Sequence, residues 1–153
     1  MNSPLENKPE ILERIGLFIV LFNGIDNVLS VEFYYIIDQS DKDRRLILDF
    51  LVTQDFSKKL DMLKPILGQD LYSKIKEINA FRNFIAHGNF GMTMGESKKM
   101  SITKRVRSHK GEAKKYFDIT PLDKEIIDKK IKDERAILNA LYELRMNRMK
   151  SAG

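Results

Sequence analysis

The run from Glu10 to Asp38 constrains this chain more than any other stretch. Ile11, Ile15, Phe18, Phe22, Ile25, Leu29 and Ile36 recur at steps of three, four and seven, which makes them one seam of an α-helix. Pro9 suits the first turn of that helix. Leu17, Val20, Leu21 and Val28 widen the apolar surface onto a second face. A helix apolar over so much of its circumference is either central in a core or covered twice, once by its own chain and once by a partner. Asn23, Asp26, Asn27 and Ser30 follow the same spacing and form a polar row. If that row is buried its groups need hydrogen-bond partners; an ordinary solvent-facing row is the alternative.

The rest of the chain can supply the cover. Its 153 residues suit a single domain, 1–153, with room for a core. Apolar content is an ordinary 42%, while charged residues at 32% exceed the usual quarter. Cysteine is absent, which rules out disulfides and thiolate chemistry. His87 and His109 are the only histidines and lie far apart, so a zinc cage is not expected, nor any other metal or cofactor. The first ten residues lack the basic start and unbroken apolar stretch of a signal peptide. No run is read as long enough to span a membrane. The expectation is a cytoplasmic protein with no membrane association. A net charge of +5 and a pI near 9.3 permit a nucleic-acid partner.

Four further segments follow. Ser40 or Asp41 can cap a helix whose apolar side is Leu46, Ile47, Phe50 and Leu51. Phe56, Leu60, Leu63, Ile66 and Leu67 mark another, ended by Pro65 and Gly68. A helix from Asp70 to His87 comes next, and a last one opens at Thr120-Pro121, with a hydroxyl cap and a proline in the first turn. Between these last two, residues 99–107 and 115–120 alternate apolar and polar positions around a turn at 108–112, the pattern of a β-hairpin with one wet face. The insertion, about 91–120, is also the basic part of the chain. From Lys98 to Lys115 there are eight lysines and arginines and one acid, Glu112. Lys104, Arg105, Arg107 and Lys110 are therefore candidates for contacting a phosphate backbone, although charge runs are commonly no more than solvated faces.

The helix before the hairpin carries an unusual end. Leu71, Ile75, Ile78 and Ile85 share one face, and Arg82 lies in the same row. An arginine there is costly unless it is paired or reaches solvent. His87 falls in the last turn, where a cation suits the helix dipole. Asn83, four residues earlier, is its surface neighbour. Gly88 suits a left-handed position just past the helix.

Arg82-Asn83-x-x-Ala86-His87-Gly88 resembles the R-x4-H signature of the HEPN family, the all-α nucleic-acid-associated domains of prokaryotic toxin, defence and RNA-processing systems. The resemblance spans roughly residues 8–90 and 120–149. It implies an all-α, HEPN-like bundle of about five helices, here with a small β-hairpin insertion near 99–120. It also implies a homodimer whose two motifs share one cleft, an arrangement that answers a geometric problem. Arg82 and His87 are offset by roughly 140° on a straight helix, so they cannot form a tight pair within one chain.

In such a cleft His87 would move protons and Arg82 would bind the scissile phosphate of RNA, making the protein a metal-independent endoribonuclease. Asn83 would hold His87 or the phosphate, and Asp26 or Asn27 would orient the motif. A cognate antitoxin is a candidate partner. The competing expectation is a non-catalytic HEPN dimerisation module that pairs with a nucleotidyltransferase-type partner.

Overall fold

The computed structural model describes residues 8–36, 55–92, 100–105 and 117–151. Three long helices dominate them: α1 (Pro9–Ile36), α2 (Phe56–His87) and α3 (Lys124–Ser151). The expected helix around 40–51 lies outside the described residues, and the two expected at 56–67 and 70–87 join in α2, which leaves three helices among the described residues.

The second of them is folded back on itself. Gly68 sits inside α2 with φ 74° and ψ 162°, a conformation essentially confined to glycine. A straight helix would hold Ser57 and Asn79 about 33 Å apart. Instead the Asn79 amide lies 3.4 Å from the Ser57 hydroxyl, and the Tyr72 hydroxyl donates to Asp61 at 2.6 Å. Residues 56–67 and 69–87 are thus two antiparallel limbs joined at Gly68, the break that Pro65 and Gly68 announce in the sequence. A Cβ at Gly68 would meet nothing within 4 Å, so its constraint is the backbone angle and not space. Any other residue there would cost about 1–3 kcal/mol.

Helices α1 and α3 run parallel. Arg14 Nε meets Asp128 at 2.7 Å, Gly24 faces Leu138, and Glu32 meets Arg145 and Arg148, so the register stays nearly constant along both rods. The second limb of α2 runs antiparallel to α3: Asp70 lines a groove with Ala140 near one end, and Glu77 pairs with Lys130 near the other. Phe18, Ile25, Leu29, Leu60, Leu63, Ile75, Ile78, Ile127 and Leu141 fill the centre. Each such side chain contributes about 1.5–3 kcal/mol by leaving water.

The two expected faces of α1 fare differently. The first is the core stripe. On the second, Val28 is buried and Leu21 half-buried, but Leu17 and Val20 are exposed. The expectation that no run reaches a membrane span needs correction. Pro9–Glu32 is long and apolar enough by length and composition, with a mean hydropathy of 1.5. Its charges collect at Glu10, Glu13 and Arg14 and again at Asp26 and Glu32, leaving an apolar stretch between. The core helix of a water-soluble bundle passes the same test.

Between α2 and α3 three short strands pair antiparallel in chain order: β1 (Asn89–Met92), β2 (Met100–Arg105) and β3 (Phe117–Pro121). The start of α3 also differs from expectation. Pro121 ends β3, and the cap is Asp123, whose carboxylate accepts from the Ile126 N–H at 2.9 Å. Pairing of Pro121 with Ser101 draws the Thr120-Pro121 dipeptide into the sheet, and the next competent cap takes over.

Candidate functional site

Arg82 is half-buried, and the structure shows what compensates it. Its guanidinium lies 5.5 Å from the centre of the Phe22 ring on α1, a cation–π contact. Its Nη1 donates to the Asn83 side-chain oxygen at 3.0 Å. The Phe22 ring also packs on Phe56 at 4.8 Å between centres, so Arg82 rests where α1 meets the first turn of α2. One turn along α1, Phe18 meets Phe81 edge-on at 5.2 Å. Both neighbours of Arg82 in this arrangement, Phe81 and Asn83, thus contribute to holding this end of the helix.

His87 is exposed in the last turn of α2. The helix remains intact up to it, so the offset of about 140° from Arg82 stands and the two side chains do not face one another. Buried Ile85 anchors this turn, and the Gly88 N–H closes it on the Phe84 carbonyl at 2.9 Å. Gly88 itself has φ −84° and ψ 151°, which corrects the left-handed expectation. The chain leaves the helix directly into β1, and extended backbone is what a strand requires.

The orienting candidates sit elsewhere. Asp26 accepts from the Lys59 ammonium at 2.5 Å, and the same ammonium reaches the Ser30 hydroxyl at 3.0 Å. Asn27 is exposed. The polar row of α1 therefore divides: Asp26 and Ser30 satisfy a lysine from the first limb of α2, while Asn23 and Asn27 face water. Lys59, only 4% exposed, is the residue that pattern reading missed. Its signal was present, since Lys59 lies three residues after Phe56 and four before Leu63, within the apolar row.

Lys104 and Arg105 close β2, with Lys104 opposite Asp118 and Arg105 opposite Phe117. Asn89 pairs with Thr103, so the backbone at Lys104 and Arg105 lies level with the end of α2, within about 15 Å of His87. Arg107 and Lys110 lie outside the described residues. Asp26 and Asn27, then, are not drawn to the motif, whereas two of the four basic candidates belong to a strand anchored beside it.

No family model, curated protein or solved structure matches this chain. Its own geometry offers a cation with a fixed seat, a solvent-facing imidazole five residues on, and a basic strand end at the same level.

Proposed function

We propose that the protein is a metal-independent endoribonuclease of HEPN type, a cytoplasmic toxin or defence component working as a homodimer. The observation that carries this reading is the seating of Arg82. A guanidinium held by Phe22 and Asn83 on a helix end, with His87 exposed beyond it, suits a phosphodiester better than it suits a structural ion pair. In this reading two copies of the motif face one cleft, which brings an Arg82 and a His87 together despite their offset on one helix. Lys104 and Arg105 extend the positive surface along the RNA backbone, and the sheet is the inserted hairpin of an otherwise helical family fold.

The chemistry is an internal transfer. The 2′-hydroxyl oxygen attacks the adjacent phosphorus as His87 of one copy accepts its proton. The bond to the 5′-oxygen breaks, and that oxygen takes a proton from the second imidazole. The products are a 2′,3′-cyclic phosphate and a 5′-hydroxyl. Arg82 binds the non-bridging oxygens and stabilises the charge that grows on them. Asp26, tied to Lys59, acts at most through the Phe22 platform one turn away, and Asn27 has no assigned part.

Purified protein incubated with total cellular RNA in EDTA tests the proposal. Wild type should cleave, and His87→Ala should lose about 10²–10⁴ of the rate while melting at an unchanged temperature. An unfolded His87→Ala would return the histidine to a structural role. A folded wild type that cleaves nothing would favour the dimerisation and binding module instead.

A further inference from the structure

The second limb of α2 keeps its two acids on one side. Asp70 and Glu77 both line the groove toward α3, and each is engaged by a lysine, Lys74 and Lys130 respectively. The side next to the first limb carries no acid of its own. At about 100° per residue, Tyr72, Lys76, Asn79, Asn83 and His87 fall there within about 80° of one another. The first limb meets them with Ser57, beside Asn79, and with Asp61, which accepts from Tyr72. Lys64 completes this edge. It and Lys76 stand over the same Tyr72 ring, their ammonium nitrogens 5.0 and 5.7 Å from its centre. The ring is buried, so it is a fixed mount for two exposed lysines. Among the described residues no carboxylate pairs with either ammonium, and Asp61 already holds the Tyr72 hydroxyl. Lys130 makes the contrast: it too lies over a ring, that of Phe81, but Glu77 neutralises it. Two like charges on one ring repel, and an anion that reaches both relieves the cost.

We infer that Lys64 and Lys76 form a backbone clamp for a single RNA strand, which leaves the Arg82–His87 end of α2 and follows the line between its two limbs toward Gly68. The inference rests on the reading of RNA as the substrate. Distance supports it, because Lys76 lies about 16 Å from His87 along the helix axis and on nearly the same side of it. The path between them supports it too. Asn83, Asn79 and Ser57 offer neutral hydrogen-bonding groups along that line, with no carboxylate to repel a phosphate. Lysines act as point charges that hold phosphates without reading bases. The clamp therefore fixes the course of the strand past His87 and leaves its sequence free.

The test uses a labelled single-stranded RNA of about 12 nucleotides. Every 2′-hydroxyl is methylated, which removes the attacking group and allows the wild-type chain to be used. In fluorescence anisotropy Lys64→Gln/Lys76→Gln should bind it about tenfold more weakly at low salt. The slope of log K against log salt should fall by about 1.4, the value for two lost phosphate contacts on a single strand. Lys64→Arg/Lys76→Arg keeps the charge and should bind like wild type. Lys132→Gln/Lys150→Gln removes two exposed lysines of α3 and should change affinity less than about twofold. All these positions are exposed, so thermal melts should coincide with wild type. A glutamine variant no weaker than the α3 control overturns the inference. So does an arginine variant as weak as the glutamine one, which would make packing on Tyr72 and not charge the cause. Cleavage of unmethylated RNA separates this inference from the reading beneath it. Cleavage lost in His87→Ala, with binding unchanged in the glutamine variant, removes the clamp alone. The expected binding pattern without cleavage by wild type keeps the clamp and removes the ribonuclease. No binding by wild type removes both.

Discussion

Glu32 on α1 and Glu134 on α3 are both buried, at 1% and 0% exposure, and neither carboxylate has a hydrogen bond. Their surroundings differ. Glu32 lies near the ends of two parallel helices, where Arg145 and Arg148 reach it from the solvent side. Glu134 lies in mid-helix between Ile131 and Ile137, and its carboxylate oxygens have no hydrogen-bond partner among the described residues. Burial alone pushes its pKa up to about 8. One site is thus paired with cations, and the other sheds its charge by holding a proton. A helix end offers room for arginine to fold over a carboxylate, and the middle of a packed row does not.

The largest expected effect comes from removing the unpaired acid. Glu134 has a folded pKa raised from 4.5 to about 8, so the folded state holds a proton that the unfolded chain releases. Its favourable state is complete below pH 4.5, and stability is lost as pH rises toward 8. Glu134→Leu should therefore stabilise by about 3 kcal/mol at pH 8 and by little at pH 4.5, as read from urea melts across that range. Parallel stability curves for the two proteins would show that folding does not shift the Glu134 carboxyl.

Next in size is the paired acid. Arg148→Ala should destabilise by about 2 kcal/mol at pH 7, because it strips a partner from a carboxylate that remains buried. Arg145 stays at 4.0 Å and limits the damage. A loss as small as that of a surface pair would mean that Arg145 suffices alone. The surface reference is Arg14→Ala, which breaks the Arg14–Asp128 contact and should cost under about 1 kcal/mol in the same assay. If all three changes had equal magnitude, burial would not be what separates the two glutamates.

The same distinction explains which parts of the candidate site could be read in advance. Arg82 on the apolar row of α2 announces a compensated arginine, because a lone cation in that row is costly. Its compensators, Phe22 and Asn83, are identified only by packing. Phe22 is 60 residues away in sequence, and nothing in the periodicity of α1 sets one ring of its stripe apart as a platform. Asp26 illustrates the reverse case. Its place in a polar row shows that it wants a partner, and Arg82 or His87 is the natural guess, yet Lys59 lies closer. Only the fold-back at Gly68 places the first limb of α2 against that row, and that limb brings Lys59 to within 2.5 Å of the carboxylate.

Local sequence was sufficient for the helices themselves. Their cores follow from three- and four-residue spacing, and the break near Gly68 from glycine's access to positive φ, both properties of a few neighbouring residues, whereas the start of α3 was set by the pairing of Pro121 with Ser101. The apolar flank of Leu17 and Val20 is equally plain in the pattern. Whether that flank is covered or open is not, because periodicity records which side chains avoid water and not whether enough chain is present to shield them. Direction, pairing and charge state belong to the assembled bundle: the parallel run of α1 and α3, the seat of Arg82, the capture of Lys59 and the proton on Glu134. Each depends on distances between residues far apart in the chain, and those distances exist only once the limbs have packed.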